Sequence, residues 1–150
     1  MSEPARILVI DDDESIRTVL KTILEEEGYI VDTAENGKEA IRKTNEKFYN
    51  LALIDIKLPD MEGTKLLTAM KDTTPPMVKI ILTGFPTLQN AIEAVNKGAD
   101  GYVTKPVEDM DALLNKIKEL LKKQEEQKKF SEEKIAEFVE SRAKQLGYLP

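Results

Sequence analysis

The chain has 150 residues, a formal net charge of -6, 41% apolar and 33% charged side chains, and neither cysteine nor histidine. These values are ordinary for one globular domain, and they exclude disulfides, thiolate metal sites and imidazole chemistry. The negative charge disfavours binding to nucleic acid, and no apolar run reaches the roughly 20 residues that cross a bilayer. Because residues 1–6 also lack the pattern of a signal peptide, we expect a cytoplasmic protein.

Short apolar runs alternate with amphipathic segments along residues 1–121. Three runs are apolar at consecutive positions, which is typical of parallel strands that are buried on both faces. These strong runs are residues 7–10, 51–54 and 78–82, and weaker runs occupy residues 29–31 and 101–103. We therefore predict five strands.

The segments between and after these runs have helical spacing. Apolar residues recur at i, i+3, i+4 and i+7 in the segments 16–24, 88–95 and 113–121, and the apolar residues within 40–41 and 66–70 mark two shorter helices. Gly28 and Gly98 stand where the first and fourth helices would end. Five strands alternating with five helices predict an α/β fold, a doubly wound parallel sheet with helices on both faces.

The last 29 residues differ in composition from the rest. Residues 122–129 (KKQEEQKK) are charged or polar and are expected to extend the last helix into solvent. Ser131 is predicted to cap a further helix that ends at Gly147. Its apolar stripe would fold back on its own domain or bind a partner, and it consists of Ile135, Phe138, Val139, Ala143 and Leu146. We divide the chain into a domain, 1–121, and a helical extension with an amphipathic tail, 122–150.

Polar side chains follow four of the predicted strands. Asp11 and Asp12 come after the first strand, Asp55 ends the third, Thr83 ends the fourth and Lys105 follows the fifth. The carboxyl ends of parallel strands share one edge, so these groups should converge there. Crowded carboxylates repel one another unless a cation lies between them, and oxygen ligands suit Mg²⁺. Lysine and threonine complement a phosphoryl group, and an aspartate can be its acceptor.

With these residues placed, the sequence resembles the receiver domains of two-component response regulators over about residues 5–121. The matching motifs, in order, are Asp11-Asp12, residues 55–59 (DIKLP), residues 61–63 (MEG), Thr83-Gly84 and Lys105-Pro106. None of them is specific alone, but the complete set in this order is a strong signal. The resemblance implies the flavodoxin-like strand order 2-1-3-4-5. It also implies a signalling protein that is no enzyme beyond its own phosphorylation and dephosphorylation.

The resemblance assigns the acceptor and the metal ligands. Asp55 would accept a phosphoryl group from a sensor histidine kinase. A magnesium ion would be held by Asp11, Asp12, Asp55 and the main-chain carbonyl of Lys57. The phosphorylated form would then bind a downstream protein target that the sequence does not identify. Neither nucleic acid nor membrane is an expected partner, and a homodimer is left open.

The resemblance also assigns the groups around the phosphoryl oxygens. Lys105 would pair with these oxygens, oriented by a Lys105-Pro106 peptide that is usually cis in the family. Thr83 would donate a hydrogen bond to them, which makes Asp55, Lys105 and Thr83 the catalytic set. Tyr102 matches the switch aromatic, which turns inward on activation together with Thr83.

Two other functions compete with this interpretation. A phosphohydrolase of the haloacid-dehalogenase type would use Asp11 as nucleophile and Asp13 as acid and base, since residues 11–15 (DDDES) approximate its first motif. That enzyme would need a cap domain, for which the chain has no room, and Asp55 would have no role. A DNA-binding regulator would need more than the 29 residues that follow Leu121, which are too few for a helix-turn-helix domain.

Overall fold

The strands of the computed structural model, which describes residues 3–150, form one parallel sheet in the order β2-β1-β3-β4-β5. Their bounds are β1 (Arg6–Ile10), β2 (Ile30–Ala34), β3 (Leu51–Asp55), β4 (Val78–Thr83) and β5 (Gly101–Thr104). The register aligns Ile10 with Ile54 and Asp55 with Leu82, so the strands end at a common edge. The predicted fold class and strand order are confirmed.

Five helices follow the five strands. They are α1 (Glu14–Glu26), α2 (Gly37–Glu46), α3 (Gly63–Ala69), α4 (Leu88–Asn96) and α5 (Met110–Gln145). Four begin at a side chain that accepts a backbone N–H of the first turn, namely Asp13, Asn36, Thr87 and Asp109. Gly28 and Gly98 follow α1 and α4 with φ of 95° and 96°, as their positions predicted.

The sheet is covered on both faces by separate apolar clusters. Because successive residues of a strand point to opposite faces, Ile7 packs against α1 and α5, whereas Leu8 packs against α2, α3 and α4. Every residue of β3, from Leu51 to Asp55, is buried. This double burial explains the consecutive apolar runs in the sequence and gives the strand ends a rigid base.

The fifth helix is continuous over 36 residues, so the prediction of a new helix capped by Ser131 is wrong. Residues 122–130 contain neither glycine nor proline, and lysine, glutamine and glutamate are good helix formers. Lys123 also pairs with Glu119 one turn earlier. Helix propensity along this segment therefore outweighs the local signal of a serine cap. The helix ends at Gln145, and Gly147 follows with a φ of 83°.

The tail of this helix does not return to the domain, so the predicted alternative of a folded-back tail is also wrong. The apolar stripe is open to solvent, with Ile135 64%, Phe138 66%, Val139 59% and Leu146 60% exposed. Over residues 3–150, no helix has both the length and the apolar character of a bilayer span.

Gln124 attaches α5 to the edge of the sheet where the strands begin. Its side chain is buried, and its Nε2 donates to the carbonyl oxygens of Asn50 at 2.9 Å and Pro76 at 2.8 Å. Its Oε1 accepts from Nδ2 of Asn50 at 3.2 Å. Asn50 precedes β3 directly, and Pro76 lies two residues before β4. The helix is therefore fixed at the edge opposite to the carboxyl ends of the strands, where its extension leaves the body.

Substitution of Gln124 by leucine should lower the free energy of unfolding by about 1–3 kcal/mol, because it removes hydrogen bonds from a buried position. Urea denaturation followed by circular dichroism measures this change. The matched control is Gln127→Leu, since Gln127 lies on the same helix and is exposed. Equal effects of the two substitutions would contradict the role given to Gln124.

Candidate functional site

Three carboxylates meet at the edge where the strands end. Asp11 and Asp12 follow β1, Asp55 ends β3, and these strands are neighbours in the sheet. One carboxylate oxygen from each residue lies within 4.8 Å of the others. Asp11 and Asp55 are buried, whereas Asp12 is exposed. The structure thus brings together acidic residues that are more than forty positions apart in the sequence.

Lys105 reaches into the same cluster from the end of β5. Its Nζ lies 2.5 Å from Oδ2 of Asp11 and 3.4 Å from Oδ2 of Asp55, and its side chain is 15% exposed. Its backbone N–H donates to the carbonyl oxygen of Thr83 at 2.7 Å. The Lys105-Pro106 peptide is cis, as the resemblance implied. One ammonium faces three carboxylates here, so negative charge is in excess.

The surroundings of Asp55 disfavour its charged form. Burial raises the pKa of this carboxyl above its ordinary value of 3.8, Lys105 opposes the shift, and the charge of Asp11 adds to it. The N–H of Lys57, which donates to Oδ1 of Asp55 at 3.2 Å, also favours the carboxylate. A divalent cation among the three carboxylates would relieve the remaining repulsion. The donor set fits a hard ion such as Mg²⁺ or Ca²⁺, since it offers only oxygen.

Gly63 allows α3 to begin directly against the main chain of Asp55. Its N–H donates to the carbonyl oxygen of Ile56 at 2.6 Å. A Cβ at this position would lie 2.2 Å from the main-chain oxygen of Asp55 and 2.9 Å from Cα of Ile56. Both contacts are with backbone, which cannot move aside by rotating a side chain. The sequence places Gly63 in the matching motif at residues 61–63, but it does not reveal this close approach.

Thr83 and Phe85 form a second turn beside the cluster. The register pairs Asp55 with Leu82, so Thr83 lies one residue further along the adjacent strand. Thr83 is fully buried, and its Oγ1 accepts the N–H of Phe85 at 3.0 Å, which leaves its own hydrogen free to be donated. Nζ of Lys57 lies 4.2 Å from the centroid of the Phe85 ring, a cation–π contact between two exposed side chains.

Tyr102 points inward from β5. Its ring packs against the cluster under α2, α3 and α4, and it is partly buried. Its hydroxyl is buried and has no hydrogen-bond partner among residues 3–150. A buried hydroxyl without a hydrogen bond raises the free energy of the folded state. A conformation that supplies a hydrogen-bond partner would therefore stabilise this group.

Two residues outside the predicted site hold the loop after β1. Oδ1 of Asp13 accepts the N–H of Ser15 at 2.8 Å and thereby caps α1. Nη1 of Arg17 donates to the main-chain oxygen of Asp11 at 2.7 Å. A capping aspartate just before a periodic apolar segment is visible in a sequence, but the contact of Arg17 has no local signal.

Asp60 connects the loop after β3 to the start of α2. Its carboxylate accepts the N–H groups of Gly37 at 2.8 Å and Lys38 at 2.9 Å. These two bonds hold the pKa of Asp60 below its usual value. The loop that carries Lys57 is therefore attached to the first turn of a neighbouring helix.

A family model described as the response regulator receiver domain matches residues 7–126. The chain belongs to this family. Receiver domains are phosphorylated on an aspartate in two-component phosphorelays, and they are signalling proteins rather than enzymes with a separate substrate.

Curated relatives are longer than this receiver domain. It is 38% identical over 119 residues to the transcriptional regulatory protein ZraR of Klebsiella oxytoca, a match that covers 79% of the chain and 27% of the relative. It is 35% identical over 120 residues to the uncharacterized transcriptional regulatory protein YkoG of Bacillus subtilis, a match that covers 80% of the chain and 52% of the relative. The chain thus spans between a quarter and a half of these relatives.

Solved receiver structures are similar along most of the fold. A CheY-like receiver domain protein from Methanospirillum hungatei is 48% identical with a TM-score of 0.79, over 83% of this chain and 98% of the other. A response regulator from Burkholderia pseudomallei, with a phosphorylated aspartic acid and a calcium ion, is 30% identical with a TM-score of 0.66, over 73% and 64%. The beryllofluoride-activated NtrC4 receiver domain dimer is 37% identical with a TM-score of 0.73, over 79% and 98%.

Substitution of Gly63 by alanine should lower the free energy of unfolding by about 1–3 kcal/mol, because the added methyl group overpacks against backbone. Gly84→Ala serves as the control, since the nearest atom to a Cβ there is Cβ of Lys105 at 4.0 Å. Thermal and urea unfolding of both variants measure the difference. If Gly63→Ala were as stable as Gly84→Ala, the close approach to Asp55 would not constrain the site.

Proposed function

We propose that this receiver domain accepts a phosphoryl group on Asp55 from a sensor histidine kinase, in the presence of Mg²⁺. The observation that carries the proposal is the position of Asp55 between two further carboxylates and the ammonium of Lys105. An aspartate in such a setting is a nucleophile with cationic groups available to neutralise the incoming phosphoryl oxygens.

Asp11, Asp12, Asp55 and the main-chain carbonyl of Lys57 would hold the magnesium ion. When bound, the ion would neutralise charge on the carboxylates and on the phosphoryl oxygens. The oxygen-only donor set supports this assignment. The structure of the response regulator from Burkholderia pseudomallei contains a calcium ion together with a phosphorylated aspartic acid, which supports a divalent cation here.

Residues of the chain would carry out the nucleophilic attack and stabilise the transferred phosphoryl group. An oxygen of Asp55 would attack the phosphorus of the phosphohistidine, forming an O–P bond as the P–N bond of the donor breaks. Lys105, already 3.4 Å from Oδ2 of Asp55, would move from Asp11 toward the transferred phosphoryl group. Thr83 would donate its free hydroxyl hydrogen to the same group. These are positioning and charge-neutralising roles, for which no histidine or cysteine is needed.

We further propose that Thr83 and Tyr102 transmit the phosphorylated state to a protein-binding face on α4 and β5. The unpaired hydroxyl of Tyr102 supports a switch role, because a second conformation could satisfy it. Three apolar side chains of α4 are exposed, Leu88 by 79%, Ile92 by 51% and Val95 by 66%. A downstream protein target would cover them. The net charge of -6 argues against direct contact of this face with nucleic acid.

The wild-type protein should gain one phosphoryl group from acetyl phosphate and Mg²⁺, and Asp55→Asn should gain none, because the nucleophile is removed. Intact mass spectrometry measures the adduct. Asp11→Asn is the control: it should keep a reduced adduct, since the acceptor remains.

A full adduct on Asp55→Asn would overturn the assignment. If Asp55→Asn kept the phosphoryl adduct and Asp11→Asn lost it, the result would instead favour the haloacid-dehalogenase mechanism. The structure argues against that mechanism. Asp13, which would be its acid and base, instead accepts backbone N–H groups as the cap of α1.

A further inference from the structure

The apolar stripe on the extension of α5 lies on the same side of the helix as the residues that pack against the sheet. Ile135 follows the buried Ile117 by 18 residues, and Val139 follows Leu121 by the same interval. Eighteen residues make about five turns at 3.6 residues per turn, so each pair points in one direction. The stripe therefore faces the space directly beneath the body, beyond the edge where the strands begin.

Three residues of the stripe, Ile135, Val139 and Leu146, belong to a seam that also contains charged residues. Its positions repeat every seven residues in two sets, Glu132, Val139 and Leu146 in one and Lys128, Ile135 and Arg142 in the other. This is the spacing of a helix that pairs with another helix. All six side chains are exposed along residues 128–146, so no part of residues 3–150 covers the seam.

The charges in the seam distinguish between the two ways of pairing two copies. In a parallel pair each residue faces its own counterpart, which sets Glu132 against Glu132, Arg142 against Arg142 and Lys128 against Lys128. In an antiparallel pair centred at the level of Glu137, Ile135 faces Val139 and Glu132 faces Arg142, each twice. Like charges in contact cost several kcal/mol, whereas opposite charges define the register. Charge therefore favours the antiparallel pair.

The position of the folded domain, residues 3–121, also favours the antiparallel orientation of the second helix. A second helix on this side that ran parallel to α5 would collide with the sheet that α5 covers. An antiparallel helix would instead approach from the C-terminal end of the extension and avoid the sheet. Its C-terminal end would then point to a groove of about 650 Å³ between residues 74–76 and α5, lined by Pro75, Pro76, Phe130 and Ile135. Leu146 of the second copy would lie level with Lys128. Its exposed Tyr148 and Leu149 would reach this groove.

We propose that two copies of this chain associate through antiparallel extensions of α5, with Glu132 of each copy opposite Arg142 of the other. This association goes beyond the proposed phosphoryl transfer and does not depend on it, because the seam is remote from Asp55 along a helix fixed by Gln124. The seam has two apolar layers flanked by ion pairs, so we expect a reversible dimer rather than a permanent one.

Charge exchange tests the proposal without disturbing the fold, because both side chains are exposed. Arg142→Glu and Glu132→Arg should each weaken dimerisation at least about tenfold, since each places like charges opposite one another twice. The double variant Glu132→Arg with Arg142→Glu should restore the wild-type dimer, because the pairs are then exchanged. Sedimentation velocity over micromolar to millimolar protein measures the association.

Two controls separate this interface from others. Ile92→Ser, on the apolar face of α4, should leave the dimer unchanged. Circular dichroism should show that every variant keeps its helix content. The proposal is overturned by a wild-type protein that stays monomeric over the whole range, by single charge variants that dimerise as the wild type does, by a double variant that is not restored, or by loss of the dimer in Ile92→Ser. Phosphorylation of Asp55 can be measured separately in the same samples.

Discussion

Repulsion among carboxylates at one edge of the parallel sheet is the constraint on which the functional site depends. The strand order places β1 beside β3, so Asp11 and Asp55 are brought together as soon as the sheet forms. Burial of both side chains strengthens the repulsion, and Lys105 offsets only part of it. The cluster therefore favours cations, and the proposed phosphoryl acceptance at Asp55 would use the same groups that would hold the cation.

The opposite edge of the sheet serves a different purpose. Gln124 fixes α5 there, and the helix continues outward with its apolar side beneath the body. The two faces of the sheet are packed by separate apolar clusters, so the two edges are joined through a rigid base. Signal reception and the proposed self-association are thus placed at opposite ends of the molecule, with α4 and Tyr102 between them as the proposed output.

Much of the fold and the site could be predicted from the sequence because both depend on simple patterns. Consecutive apolar runs identified β1, β3 and β4, and a parallel sheet then required Asp11, Asp55 and Lys105 to converge. The cap predicted at Ser131 does not form, because a serine cap is a weak local signal compared with the helix propensity on both sides of it. The outward path of the tail could not be predicted, because an amphipathic pattern indicates an apolar face but not which surface, if any, packs against it. The approach of Gly63 to the backbone of Asp55 and the contact of Arg17 with Asp11 also depend on tertiary geometry alone.

The central claim is that groups from separate strands form one cation-dependent site, and a magnesium titration followed by two-dimensional NMR tests it most directly. Backbone amides in the loops after β1 and β3 should shift together and yield one dissociation constant. Asp12→Asn should weaken the response of both loops equally. Shifts confined to one loop, or two unrelated dissociation constants, would contradict a shared site.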